Sequence, residues 1–147
     1  MITNTILRLQ FLLDTIPAKL ADIREPDFSF KPSENKWSKK EALGHLIDSA
    51  TNNHQRFVRV QFEDTPTIIY DQDNWNHFSF YNQMDGNHVI YFWATYNRHL
   101  LKLIKLIPKE NLERTCRTNE PGPVTLKWLI DDYVVHMEHH LKQIVDY

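Results

Sequence analysis

Four segments of this chain repeat their apolar residues every three or four positions, the spacing that lines one face of an α-helix. In the first, from about Thr3 to Ile23, the stripe is Ile6, Leu9, Leu13, Ile16 and Leu20. Pro17 falls inside it and is expected to kink or split the helix, because proline lacks an amide hydrogen and its ring crowds the preceding turn. A loop with Pro26 and Pro32 follows. The second helix opens on Ser38-Lys39-Lys40-Glu41, a capping box in which the serine hydroxyl and glutamate carboxylate take up free first-turn amides; it runs to about Phe62, short of Pro66. From Thr65 to Asn82, around Asp71-Gln72-Asp73-Asn74-Trp75, the chain reads as a polar loop or a short helical turn. A third helix starts after Asp85-Gly86 and reaches Ile107, where Pro108 stops it. Glu120-Pro121-Gly122-Pro123 breaks the chain again, and Thr125 caps a last helix to about Asp146.

These segments predict an all-α four-helix bundle forming one domain over residues 1–147. The long connections between helices two and three, and three and four, are placed to cover one end of a site. With only three glycines, the chain has little material for a fold made of tight β-turns. A hydrophobic fraction of 41% and a charged fraction of 24% are those of a globular protein. Seventeen Lys+Arg against 19 Asp+Glu give a net charge of −2, so the basic field of a nucleic-acid binder is missing. The single cysteine, Cys116, supports neither an internal disulfide nor a cysteine-based zinc site. Met1 to Arg8 holds no basic run ahead of an apolar stretch, and the longest apolar run, Val89 to Ala94, is far short of the roughly 20 residues of a membrane span. No membrane partner is expected, and a reducing cytoplasm is the expected location.

Eight histidines stand in the sequence, and two of them, His136 and His140, lie one turn apart on the last helix. Such a pair can converge on one ion, or can simply be two helix-surface histidines. On helix two, His45, Ser49, Asn52 and Arg56 fall within roughly 60° of one another at 100° per residue, a single polar stripe. That stripe either faces water or lines an interior site; His45 lies among Leu43, Leu46 and Ile47 and is flanked by no charge. If helices two and four are neighbours, His45 completes a three-histidine site with His136 and His140. Three neutral ligands leave the charge of a divalent ion intact and coordination positions open, as in catalytic rather than closed structural sites.

Several of these segments together resemble the DinB/YfiT-like family of metal-dependent enzymes. They are Pro32-Ser33-Glu34-Asn35-Lys36-Trp37-Ser38, then Glu41-Ala42-Leu43-Gly44-His45-Leu46-Ile47-Asp48 with Arg56, then Tyr70 to Trp75, and finally His136-x-x-x-His140-Leu141-Lys142-Gln143-Ile144. The resemblance covers essentially the whole chain. It implies a four-helix bundle of up-down-down-up connection, often a homodimer, holding one divalent metal ion, with nickel or zinc foremost, through His45, His136 and His140. The family includes S-transferases that use low-molecular-weight thiols such as bacillithiol or mycothiol, thiol-dependent isomerases and many members of unknown activity, and the activity expected here is that of an S-transferase with a bacillithiol-like thiol as co-substrate and an electrophile as substrate. The alternatives are a hydrolase that activates water on the same ion, and a non-catalytic bundle that binds a metal or ligand.

Other residues carry narrower expectations. Arg56 is assigned to a substrate carboxylate, with an ordinary salt bridge as the alternative. Gln143, three residues after His140, is assigned to orienting that ring, the alternative being a surface glutamine. Asp132 stands one turn before His136 and either approaches the ion or is solvated. Asp71, Asp73 and Trp75 line the mouth of the site or form a capped turn. Trp37 is expected to clamp its loop onto helix two. His54 and His139 lie off the ligand faces, and His77, His88 and His99 show no ligand pairing. The aromatic residues Tyr91, Phe92, Trp93 and Tyr96 are expected in the core. Cys116, in a polar loop, is not expected to be a nucleophile. The zincin His-Glu-x-x-His motif, the phosphate-binding glycine loop and the Glu-x-x-His pairs of di-iron bundles are all absent from the sequence.

Overall fold

The periodic segments become four long helices in a computed structural model that describes residues 2–147. In chain order the helices are α1 (Thr3–Ala21), α2 (Glu25–Phe28), α3 (Lys39–Arg59), α4 (Gln72–Ser79), α5 (Gly86–Leu106) and α6 (Leu126–Ile144). Helix α3 packs against α5 and α6, and α1 packs against the same two. Helices α1 and α3 therefore take opposite corners of the four-helix bundle. The core between them is built from Leu9, Leu12, Leu13 and Ile16 of α1, Leu43, Leu46 and Phe57 of α3, Trp93 and Leu100 of α5, and Leu126, Ile130, Met137 and Leu141 of α6.

Helix α1 is neither split nor ended by Pro17. The carbonyl that Pro17 leaves without an intrahelical donor is that of Leu13, four residues back. Arg98 of α5 reaches across and donates to it from Nη2 at 3.3 Å, so a tertiary contact replaces the missing helix bond. The region after α3 holds more structure than a polar loop. Asp71 caps α4, its carboxylate accepting from the Asn74 amide at 3.0 Å, and a 3-10 turn over Tyr81–Gln83 follows. A two-stranded antiparallel hairpin, β1 (Thr115–Cys116) and β2 (Val124–Thr125), stands around the Pro-Gly-Pro breaker. Its Arg117 is bonded through backbone to Pro66 and Ile68, each at 2.9 Å, tying the 65–70 segment to the start of α6. Thr125 then caps α6, accepting from the Trp128 amide at 3.1 Å.

The expectation of a buried aromatic set on α5 is corrected. Trp93 is in the core, but Tyr91 is 71% and Phe92 46% exposed, and Tyr96 is half-buried. The inward face of α5 is instead Val89, Ile90, Trp93, Asn97, Leu100, Leu101 and Ile104, which leaves the other aromatics on outer faces. Among the described residues no helix is long and apolar enough to cross a membrane.

Candidate metal centre

The capping box at the start of α3 forms as the sequence predicts. Ser38 Oγ accepts from the Glu41 amide at 3.0 Å, and Glu41 accepts from the Ser38 amide at 2.8 Å. Three further ties fix this end of the helix: Ser38 donates to Asn82, Asn76 donates to the Glu41 carbonyl, and the buried Lys40 ammonium pairs with Glu25 and the Met84 carbonyl. Two turns into this anchored helix stands His45.

His45 of α3 meets His136 and His140 of α6 inside the bundle. The Nε2 atoms of His45 and His136 are 3.0 Å apart, and one ligand nitrogen from each of the three rings lies within 4.8 Å of the others. Nitrogens sharing one zinc-like ion at about 2.0–2.1 Å each are roughly 3–3.4 Å apart, so the His45–His136 separation suits a common ion. The donor set suits it too. Burial, helped by the neighbouring imidazoles, pushes His45 down to about 3 and His136 to about 4, and lowers His140. All three rings are thus neutral at physiological pH and offer lone pairs. Nδ1 of His45 and of His140 are buried without a hydrogen-bond partner. An orphaned polar atom of this kind costs about 1–3 kcal/mol, which fits a cluster held for something other than stability.

The polar stripe on α3 faces inward, not to water: His45, Ser49 and Asn52 are 1%, 3% and 2% exposed. Trp37, expected only to clamp its loop, packs its ring against His45 at 4.8 Å and against His140 at 6.3 Å, walling the cluster. The other side of the Trp37 loop borders a cavity of about 440 Å³ bounded by Phe30, Lys36, Trp37, Lys39, Asp73 and Gln143 among others, with none of the three histidines in its lining. Asp73 lines that cavity, while Asp71 serves as a helix cap and Trp75 packs on Tyr70. Gln143 has its amide 3.2 Å from Nε2 of His139. Arg56 turns towards the 65–70 segment: Nε and Nη2 both donate to the Ile68 carbonyl, at 3.2 and 2.9 Å, and Nη1 donates to Asn53 Oδ1. Asp132 lies near enough to Arg56 for the guanidinium to oppose the upward push that burial gives its carboxyl.

Asp48 is a buried acid on the same helix, one turn past His45, that motif reading left without a role. It is 2% exposed, accepts from the Tyr81 hydroxyl at 2.5 Å, and keeps Oδ2 without a partner. Only its place among Leu46, Ile47 and Ala50, where a free carboxylate is costly, marks it in the sequence. Burial raises its pKa from 3.8 to about 6, outweighing the Tyr81 hydrogen bond. A raised carboxyl pKa means that the folded state holds the proton more tightly. Its contribution to stability is full below the unfolded value near 3.8 and is lost as pH rises through about 6. Asp48→Asn, which keeps the acceptor for Tyr81, is therefore expected to raise stability at pH 8 by about 2 kcal/mol and to match the wild type near pH 4. Thermal melts across that range check it, and equal midpoints at pH 8 would contradict it. His45 and His136 act in the opposite sense. Their depressed values stabilise the metal-free fold above pH 6.5, and this is lost as pH falls towards 4 and 3.

Residues 8–144 fit the sequence model of the DinB superfamily. The chain belongs to the DinB superfamily. Among similar DinB-like relatives, a provisionally named metal-dependent hydrolase of Oceanobacillus iheyensis is 29% identical over 109 residues, 74% of this chain and 63% of that protein. Another from Bacillus cereus is 22% identical over 145 residues, 98% of this chain and 83% of its own length. The fold is that of YfiT from Bacillus subtilis, described as a probable metal-dependent hydrolase with an unusual four-helix bundle topology. The two superpose with a TM-score of 0.81 at 22% identity, covering 95% of this DinB chain and 83% of YfiT.

Proposed function

We propose that this chain is a divalent-metal-dependent enzyme, with zinc or nickel as the resident ion on His45, His136 and His140, that joins an intact low-molecular-weight thiol through its sulfur to an electrophile, the thiol giving up its proton as the new bond to sulfur forms. The observation that carries the reading is the convergence of three neutral imidazoles from two helices, His45 buried and His136 and His140 half-buried, a donor set that neutralises none of an ion's charge. Bound there, such an ion would supply the Lewis acidity that keeps a sulfur nucleophile anionic near neutral pH.

The protein's own residues do the rest. Burial keeps the His45 and His136 rings neutral, and Trp37 packs over the His45 and His140 rings on one side of the cluster. Arg56 has N–H groups left over after its bonds to Ile68 and Asn53, and these we assign to a carboxylate of the thiol or its acceptor. Hydrolysis with water as the nucleophile is the second reading, favoured by the names the relatives bear.

The two readings separate in one assay. Zinc- or nickel-loaded protein is expected to form an S-adduct between a small thiol and an electrophilic acceptor, with metal-dependent turnover and no ester or amide cleavage when thiol is left out. Cleavage without thiol would favour the hydrolase. No turnover with either nucleophile would leave a metal-binding bundle and overturn the enzymatic reading.

A further inference from the structure

We propose that His54 and His99 form a second, weaker site for a divalent transition-metal ion, bridging α3 and α5 on the outside of the bundle. The two helices pack directly, and the two rings stand 5.4 Å apart between centroids with planes at 68°. The three-histidine centre of the same chain has centroid separations of 4.7–4.9 Å and angles of 72–77°. The outer pair is thus the same edge-on arrangement of imidazoles, opened slightly.

One ring is already oriented. His54 Nδ1 lies 2.9 Å from the Tyr96 hydroxyl, and Tyr96 sits three residues before His99 on the same face of α5. With the proton on Nδ1 and the phenol oxygen accepting it, Nε2 of His54 is left with its lone pair free, the arrangement by which a neighbouring oxygen fixes the tautomer of a metal-binding histidine. His54 is half-buried and His99 exposed, so one donor is held steady while the other is reached from solvent. Along α3, His54 is nine residues beyond His45, roughly 13 Å at the helical rise, so the two sites are distinct. Two imidazole nitrogens with water completing the sphere select Cu²⁺, Ni²⁺ or Zn²⁺ over Mg²⁺ or Ca²⁺, which prefer oxygen ligands.

The test is a Zn²⁺ titration of the full chain against a chromophoric chelator, with folding followed by circular dichroism. Wild type is expected to take up a tight and a weaker equivalent. His99→Ala loses the weaker one and keeps the tight one, and His45→Ala does the reverse. Tyr96→Phe keeps the weaker site with its affinity reduced by about tenfold. His77→Ala, at an exposed histidine elsewhere, keeps both equivalents. A single equivalent in wild type that persists in His99→Ala, or a weaker equivalent that His99→Ala leaves untouched, would overturn the proposal. A wild type lacking only the tight equivalent would instead count against the three-histidine centre.

Discussion

Gly44→Ala is expected to destabilise the protein by about 3 kcal/mol, close to the upper end of what a single added methyl does in a packed core. A Cβ at position 44 would stand 2.1 Å from Cδ2 of Tyr81 and 2.3 Å from its Cγ, far inside van der Waals contact. The ring has little freedom to retreat, since Tyr81 is 6% exposed and its hydroxyl is held by buried Asp48 at 2.5 Å. The better helix propensity of alanine returns only about 1 kcal/mol. For a chain of this size the melting temperature is expected to fall by roughly 6–12 °C. Tyr81→Leu in the Gly44→Ala background relieves the clash, so the double variant is less destabilised than the two single effects added together. A Gly44→Ala protein that melts with the wild type would show that the 3-10 turn carrying Tyr81 moves freely. Gly44 immediately precedes His45, so the same close approach that seats Tyr81 also sets the depth of the first candidate metal ligand.

The second large effect concerns the ligands. If binding of one ion is spread over three histidines, removing one forfeits roughly 3–4 kcal/mol, two to three powers of ten in affinity. His136→Ala is therefore expected to lose its ion during purification and to lose any metal-dependent turnover with it. The metal-free fold is expected to tolerate the change, because it removes one of two imidazoles whose facing nitrogens can share a single proton at best. His139→Ala, next to a ligand but turned to Gln143 on the surface, should retain the ion. Turnover by a metal-free His136→Ala protein would contradict the mechanism.

Much of this was legible from local chemistry. The capping box at Ser38, the cap at Thr125, the start at Asp85-Gly86, and the stops around Pro66, Pro108 and Pro121 are properties of a few adjacent residues, so the long helices could be placed from them. The three-histidine set was legible because i, i+4 spacing and a stripe on a second helix survive any packing that brings those helices together. What the sequence could not show depends on distant partners. Pro17 does not break α1 because Arg98, far along the chain, supplies the missing donor. Tyr91 and Phe92 face outward because Trp93 and the aliphatic residues of α5 fill the inner face. Arg56 shares the stripe of His45, yet its reach towards the Ile68 carbonyl follows from the 65–70 segment being tied to the hairpin by Arg117. Tyr81 reaches Asp48 because Gly44, with no side chain, leaves room for the Tyr81 ring against α3.

The central claim is one divalent ion on His45, His136 and His140, and elemental analysis tests it most directly. Wild type and His45→Ala would be purified side by side without a histidine tag and desalted to strip weakly held ions. About one ion per wild-type chain and almost none in the variant is the predicted result for an intact three-ligand site. A wild-type protein that retains no metal after incubation with zinc, nickel and manganese, or a His45→Ala protein that retains as much as the wild type, would contradict it.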